Sequence, residues 1–171
     1  GCALSSTSDM DSGTNTITLG TFSADAAYTC TVTFTDDAGN AASSVSLTEF
    51  TLDTTAPVIS TVVFASGDYV NDAEDESNIN LVITMSDSSA SGQTATATLN
   101  SADYSCAISG NACTAVITSA GLKALSEASH SFSVAISDAA GNAATAHTST
   151  SFTVDRTAPT ISTVVFASGD Y

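Results

Sequence analysis

The chain has 171 residues and carries 18 acidic residues against 2 basic ones, which gives a formal net charge of −16. Binding to nucleic acids or to anionic membrane surfaces requires clustered Lys and Arg, so this composition excludes both kinds of partner. No apolar run approaches the roughly 18 residues of a membrane-spanning helix, so the sequence predicts no membrane insertion.

The main pattern along the chain is an internal repeat with an offset of 102 residues. Residues 53–69 and residues 155–171 are identical at 15 of 17 positions. This period is too long for a solenoid unit and fits a whole domain, so the sequence predicts a tandem array. In chain order we predict the C-terminal half of one repeat (1–52), a linker (53–57), a complete repeat (58–154), a second linker (155–159) and the first strand of a further repeat (160–171).

Most segments place apolar residues at every second position and Thr or Ser between them, a pattern typical of half-buried strands. Turn signals with Gly recur about every ten residues, and one helical turn is expected near Gly121. The sequence therefore predicts an all-β fold of tandem immunoglobulin-like β-sandwich repeats, each of about 102 residues with seven or so strands. The predicted strands of the complete repeat are 58–65, 79–86, 94–99, 104–108, 113–118, 130–137 and 146–154.

Two positions indicate structural rather than catalytic roles. Tyr28 stands two residues before Cys30, as in the tyrosine corner of such folds, where the phenol braces the chain. His130 stands at the same position of the next repeat, so we predict that it is structural. The other imidazole is His147, and the sequence has no nucleophile elbow or glycine-rich phosphate loop. We predict no enzymatic activity and no small-molecule substrate.

The four cysteines predict two disulfides. Cys106 and Cys113 flank the turn signal Ser109-Gly110-Asn111, which can bring them within bridging distance across a hairpin. Cys2 has Cys30 as its only local partner. The cysteine spacings fit no zinc site. Buried free thiols are the alternative to disulfides. Disulfides predict an extracellular or cell-surface location.

Three short motifs resemble those of one family. Asp138-Ala139-Ala140-Gly141-Asn142 resembles a turn of bacterial immunoglobulin-like repeats, which occur in giant surface adhesins and biofilm-associated proteins. The linker Val154-Asp155-Arg156-Thr157-Ala158-Pro159 and the loop that begins at Val70-Asn71 are also similar to motifs of that family. This resemblance implies an immunoglobulin-like fold and calcium at the junctions between domains.

Acidic and amide side chains concentrate around the linkers. Two carboxylates about 4 Å apart repel by roughly 4 kcal/mol at an effective dielectric near 20, and a hard dication removes that repulsion. Calcium accepts six to eight oxygen ligands in loose geometry, whereas Mg²⁺ requires a stricter octahedron. We therefore predict Ca²⁺ as a cofactor; the alternative is a solvated acidic surface that keeps the array soluble. The predicted calcium ligands are Asp36, Asp37, Asp53, Asn71, Asp72, Glu74, Asp138 and Asp155.

These observations favour an extracellular spacer, the stalk of a repetitive bacterial surface adhesin, stiffened by calcium at its junctions. Its partners would be neighbouring repeats of the same chain. A half-repeat of about fifty residues cannot bury a self-sufficient core, so the rest must come from the natural protein beyond this sequence or from another chain. In the second case the chain would be a subunit of an extracellular filament, and identical chains would donate a strand such as Thr160 to Ala167.

Overall fold

The structure is a computed structural model that describes Cys2, residues 17–35 and residues 38–165. Its contacts divide the chain into two compact units. The first unit contains the residues up to Ala56 together with Ala140–Asn142, and the second contains Pro57–Ala139 and the residues from Ala143 onward. Among the described residues, no helix is long and apolar enough to cross a membrane.

The first unit contains two short antiparallel strand pairs. β1 (Ala26–Tyr28) pairs with β4 (Phe50–Leu52), and β2 (Thr31–Val32) pairs with β3 (Val45–Ser46). The alternation of Thr with apolar or aromatic residues favours extended backbone here, because branched and aromatic side chains pack well on a pleated surface.

The second unit is a β-sandwich with one helical turn. One sheet has the strand order β10-β7-β5, a second has β13-β12-β8-β9, and a small third sheet has β11-β14-β6. All neighbouring strands are antiparallel except β6 and β14, which are parallel. The elements are β5 (Ile59–Phe64), β6 (Tyr69–Val70), β7 (Ile79–Met85), β8 (Thr94–Leu99), β9 (Ala102–Ala107), β10 (Ala112–Ile117), α1 (Ser119–Lys123), β11 (Ser129–His130), β12 (Ser133–Ala135), β13 (His147–Thr148) and β14 (Phe152–Val154).

The core of the second unit comes from the inward positions of these alternating strands. Three phenylalanines form its aromatic centre, with ring centroids 4.7 Å apart for Phe64 and Phe152 and 5.6 Å apart for Phe132 and Phe152. Leu81, Ile83 and other aliphatic residues surround them and are fully buried. The fold is therefore the all-β sandwich that the alternation predicts, and every predicted strand of the complete repeat corresponds to one or two observed strands.

The 102-residue repeat is visible in the structure as well. The pairs β1–β4 and β2–β3 correspond to β11–β14 and β12–β13, and the isolated bridge Thr35–Ala41 corresponds to Ser137–Ala143. Burial differs between the copies. Phe50 is 39% exposed, whereas its counterpart Phe152 is 2% exposed, because the strands between Pro57 and Ile117 cover the latter.

Two local features of the second unit have clear stereochemical causes. β9 begins at Ala102, earlier than predicted, because Asn100 and Ser101 both have positive φ, as a two-residue hairpin turn of the primed type requires. In α1, a Cβ added at Gly121 would lie 1.8 Å from the Tyr104 hydroxyl. A larger residue at position 121 would therefore require the Tyr104 side chain to shift.

The predicted tyrosine corner is present in the first unit, where the Tyr28 hydroxyl donates to the Ala24 carbonyl at 2.7 Å. His130 makes the equivalent bond in the second unit, with Nε2 3.0 Å from the Ser126 carbonyl. In both repeats the aromatic side chain bonds to the backbone four residues upstream. His130 therefore has the structural contact that its repeat position predicts.

The structure joins Cys2 to Cys30 and Cys106 to Cys113, with Cα–Cα distances of 5.5 and 5.7 Å. The second bridge does more than close a hairpin. Cys106 lies on β9 and Cys113 on β10, and these strands belong to different sheets. The bridge therefore ties the two main sheets of the sandwich together at one edge.

Unequal burial of the repeated phenylalanines leads to the first prediction. Phe152→Ala should lower the free energy of unfolding of its unit by about 3–5 kcal/mol, as is usual for a buried Phe. Phe50→Ala, its matched control at the same repeat position, should cost less than half of that because Phe50 is already 39% exposed and loses less buried surface. Denaturant-dependent hydrogen exchange of β14 and β4 amides measures both losses. Equal losses would contradict the burial difference.

The bridge between the two sheets leads to the second prediction. Replacing Cys106 and Cys113 together with Ala should destabilise the second unit by about 2–3 kcal/mol, because the disulfide restricts the unfolded chain. Chemical denaturation followed by hydrogen exchange of β7 and β8 measures the loss. The Cys2→Ala, Cys30→Ala double variant is the control and should leave these amides unchanged. A loss of similar size in both variants would disprove a local effect.

Candidate functional site

The two linkers begin with the same turn. We call Asp53–Thr55 and Asp155–Thr157 the linker roots. Asp53 Oδ1 accepts a hydrogen bond from the Thr55 amide at 3.1 Å, and Asp155 Oδ1 accepts one from the Thr157 amide at 3.0 Å. An Asp that bonds to the amide two residues on imposes a turn on the backbone. Each linker therefore leaves its last strand in a defined local conformation.

A second acid holds the first linker root from outside. Asp25 Oδ1 accepts hydrogen bonds from the Thr54 amide at 3.0 Å and the Thr54 hydroxyl at 2.7 Å. Its Oδ2 accepts one from the Thr55 hydroxyl. In the same unit, Asn142 Nδ2 donates to the Asp53 carbonyl at 3.0 Å. The backbone and both hydroxyls of this root are thus bonded to carboxylate oxygens.

The second linker root has the same brace, supplied by Glu127, which lies 102 residues after Asp25. Glu127 Oε1 accepts from the Arg156 amide at 3.1 Å, and Oε2 accepts from the Thr157 hydroxyl at 2.9 Å. Sequence reasoning missed both acids. The signal was available, because an acid recurs at the same repeat position in two otherwise different segments.

The loop of residues 71–76, which we call the acidic loop, lies beside the second linker root. β6 and β14 run parallel, so the loop that follows β6 and the linker that follows β14 leave the sheet at the same end. The Asp155 amide donates to the Val70 carbonyl at 3.0 Å, which fixes this neighbourhood. The structure therefore places the start of the acidic loop beside the backbone of Asp155.

Within the acidic loop, Asn71 and Glu74 already bind each other's backbone. Asn71 Oδ1 accepts from the Ala73 amide at 2.9 Å and the Glu74 amide at 3.0 Å, while Glu74 Oε2 accepts from the Asn71 amide at 3.1 Å. This reciprocal arrangement is that of a capping box, and it makes the loop a tight turn. Asp72 lies between them and is exposed.

The remaining two acids of the loop pair with the chain's only basic residues. Asp75 is buried and binds Arg156, with 2.6 Å between Oδ2 and Nε. Glu76 is exposed and pairs with Lys123 at 2.7 Å, and this hydrogen bond raises the pKa of Lys123 above its usual value. Sequence reasoning placed Arg156 at a junction but did not identify its partner, because Asp75 lies 81 residues away.

The other predicted ligands are distributed differently. Asp36 and Asp37 lie outside the described residues. Asp53 belongs to the first unit, whereas the acidic loop belongs to the second, so the geometry of neither unit relates the two. Asp138 is buried and lies beyond β12. The amide of Val154, which precedes Asp155, donates to the Ala128 carbonyl. The nearly extended chain from Ala128 to Asp138 is about 30 Å long. The structure therefore does not bring Asp138 and Asp155 together.

Among the residues that the structure describes, no three or more His, Cys, Asp or Glu side chains cluster closely enough to hold a metal ion. Hydrogen bonds from backbone amides nevertheless orient two carboxylates near the second linker. Asp155 and Glu74 each use one oxygen for a backbone amide, and a carboxylate has two. Calcium would have to draw these side chains together on binding, which its flexible coordination permits.

The brace at the first linker root leads to the third prediction. The Thr55 hydroxyl is the main cause that lowers the pKa of Asp25 below its ordinary value of 3.8, followed by the Thr54 hydroxyl. A lowered pKa in the folded state means that these bonds stabilise the fold fully above pH 3.8 and are lost as the pH falls through the folded value. Thr55→Val should therefore raise the pKa of Asp25 towards 3.8.

An NMR titration of the Asp25 carboxyl carbon measures this change. The control is Thr157→Val, which removes the corresponding hydroxyl at Glu127 and should leave the Asp25 titration as it is. An Asp25 titration that is the same with and without the Thr55 hydroxyl would show that the brace does not form.

A comparison with protein-family models agrees with this fold. Residues 117–169 match the family model of the bacterial Ig-like domain (group 3). No curated protein matches the chain. One similar solved structure is that of a Ca²⁺-stabilised adhesin that helps an Antarctic bacterium reach out and bind ice. It has 27% identity, the match covers 78% of this chain and 32% of that one, and the TM-score is 0.45.

 Two further structures concern an ice-binding adhesin of this kind. A bacterial immunoglobulin-like domain from the M. primoryensis ice-binding adhesin has 23% identity, covers 58% of this chain and 95% of its own, and has a TM-score of 0.39. A structure concerned with host cell surface retention of a 1.5-MDa bacterial ice-binding adhesin has 26% identity, covers 77% of this chain and 42% of its own, and has a TM-score of 0.42.

The chain thus spans less than half the length of two of the structures that it matches. The family match begins at the end of β10 and continues through the second linker root. It includes the turn and the linker motifs on which the predicted resemblance rests. The resemblance to bacterial immunoglobulin-like repeats is therefore confirmed for residues 117–169.

Proposed function

We propose that the chain is part of an extracellular spacer, a stalk of tandem immunoglobulin-like repeats in a bacterial surface adhesin. The observation that carries this proposal is the repeated brace at the linker roots. Asp25 and Glu127, at the same repeat position, bind the residues that follow the last strand of their own repeats. A spacer needs such a contact, because its length is useful only if each repeat limits the directions in which the next can turn.

Other features support the same role. Pro57 and Pro159 restrict backbone rotation within the two linkers. The two disulfide pairs favour an oxidising, extracellular location. The repeat of whole domains lets copy number set the length of the molecule. Nothing in this role requires catalysis, and the contact of His130 with Ser126 gives that imidazole a structural purpose.

Calcium is the second part of the proposal. Within the second unit, the backbone of Asp155 lies next to the start of the acidic loop, which supports Asp155, Asp72 and Glu74 as the carboxylates that would share an ion, with Asn71 as an amide ligand. Bringing carboxylates together without a cation costs electrostatic free energy, and calcium would remove that cost. A bound ion would then fasten the linker root to the acidic loop in addition to the brace from Glu127.

The first linker would follow the same scheme. Asp53 occupies the repeat position of Asp155 and forms the same turn with Thr55. We therefore propose Asp53 as a ligand at its own linker, together with Asp36 and Asp37. Asp138 is not included with Asp155, because the two lie at different ends of the second unit.

A filament subunit is the alternative function. In the complete repeat, the counterpart of Thr160 to Ala167 forms β5 and pairs along β7. A donated strand would therefore need a β7-like partner on the acceptor. Residues 17–52 correspond to residues 119–154 and contain no counterpart of β7. The filament would therefore require a second donated strand in addition to the first. The exposed side chains of Ile161 and Val165 support the filament, because they would be available to an acceptor chain.

The fourth prediction tests calcium in the spacer. Adding Ca²⁺ to the chain should stabilise the second unit by about 2.7 kcal/mol at one hundred times the dissociation constant. Small-angle X-ray scattering should show a larger and better defined maximum dimension with Ca²⁺ than with a chelator, and Mg²⁺ should restore it poorly. Asp155→Asn combined with Glu74→Gln should remove the stabilisation of the second unit, and Asp53→Asn should remove the change in maximum dimension, because the first linker connects the two units.

The matched control is Asp103→Asn, which changes one charge at a β-hairpin of the same unit and should leave the calcium response intact. An identical scattering profile and stability with Ca²⁺ and with chelator would rule out the calcium part of the proposal. A mass that increases with protein concentration in both buffers would instead favour the filament.

A further inference from the structure

The Arg156 side chain ends in a site made only of oxygen atoms. Its Nε donates to Asp75 Oδ2 at 2.6 Å, Nη1 donates to the Leu125 carbonyl at 3.1 Å and Nη2 donates to the Leu122 carbonyl at 2.9 Å. The Leu122 carbonyl lies in the last turn of α1, and the Leu125 carbonyl lies two residues after the end of that helix. One carboxylate and two backbone carbonyls thus surround the guanidinium. We call this group of oxygens the oxygen site.

The carboxylate of this site is buried and only half satisfied. Asp75 is 1% exposed, and its Oδ1 has no hydrogen-bond partner. A buried charge without compensation is strongly unfavourable, and removing one partner of a buried pair is far more harmful than removing an exposed one. Asp75 therefore depends on a cation at this position, and it retains an oxygen that the guanidinium does not use.

We propose that the oxygen site is a cation-binding site, and that Arg156 is its built-in occupant in this repeat. A repeat that kept Asp at this position but had an uncharged residue in place of Arg156 would bind a free divalent cation there, with calcium as the best fit. Carboxylate and carbonyl oxygens are the donors that calcium prefers, and the unpartnered Oδ1 would supply a further ligand.

The sequence of the chain itself supports this assignment. The two near-identical segments of 17 residues differ at two positions, and one difference is Thr54 against Arg156. The Thr54 hydroxyl binds the brace carboxylate of Asp25, whereas the Arg156 side chain turns away from Glu127 into the oxygen site. The backbone amide at this position binds the brace acid in both repeats, and the Arg156 side chain adds a contact with the oxygen site that Thr54 cannot make.

This inference does not depend on the spacer role or on the calcium site proposed for Asp155. It predicts that the positive charge of Arg156, and not a dissolved metal ion, holds the second linker root. Removal of free calcium would leave the contact between Arg156 and Asp75 in place. Replacement of Arg156 would make the same position depend on a dissolved cation.

The fifth prediction concerns the difference between Thr54 and Arg156, which occupy the same repeat position. Arg156→Thr, which copies Thr54, should lower the folding equilibrium constant of the second unit about 100-fold or more in chelator, because it leaves Asp75 buried and unpaired. Calcium at one hundred times its dissociation constant should restore about 100-fold. Hydrogen exchange of β7 and β14 amides in the full chain measures both changes. If the variant is unfolded in chelator, refolding on addition of CaCl₂ is the readout.

Two further variants make the test specific. Arg156→Thr combined with Asp75→Asn removes the buried charge and should show no calcium rescue beyond that of the unaltered chain. Arg156→Lys keeps a cation in the site and should respond to calcium no more than the unaltered chain does. A failure of calcium to rescue Arg156→Thr would overturn the proposal, and so would an equal rescue of the double variant.

Discussion

The structure depends on the burial of one face of each alternating strand, and this burial requires both halves of a repeat. β11 to β14 present Phe132, Val134 and Phe152 inward, and the strands from β5 to β10 cover them. In the first unit the corresponding Phe50 is 39% exposed, and none of the described strands of that unit corresponds to β5–β10. The cooperative element is therefore the complete repeat, and each pair of short strands is stable only as part of it.

Charge imposes the second constraint. With 18 acidic residues and 2 basic ones, the chain can neutralise few of its carboxylates internally. Both basic side chains pair with neighbouring acids of the acidic loop, next to the second linker root. The chain thus places its scarce positive charge where a linker leaves a repeat, and it holds the acids of the two linker roots with hydroxyls and backbone amides. This is consistent with a molecule whose local order matters most at its linkers.

Much of the fold could be predicted from the sequence because its signals are local. Alternation fixes the strands, and the positions of Tyr28 and His130 relative to the repeat indicate their bonds to the backbone. The site was harder to predict. The acidic loop lies beside Asp155 because β6 pairs in parallel with β14, and a two-residue strand between remote segments has no local signature. The partnership of Asp75 and Arg156 is hidden for the same reason, whereas the braces from Asp25 and Glu127 could have been found from the repeat itself.

The parallel pairing of β6 with β14 has a consequence for a chain under tension. The chain enters the second unit at Pro57, forms β5 and then β6, and leaves directly after β14. Once β5 has detached from β7, pulling on both ends draws the parallel strands β6 and β14 along each other in opposite directions. The bonds from Thr153 to Asp68 and from Asp155 to Val70 then bear the load at the same time, rather than opening one after another. Such a shear arrangement resists extension more strongly than a hairpin opened from its end. The same two-residue strand that places the acidic loop at the linker would thus act as the repeat's mechanical clamp.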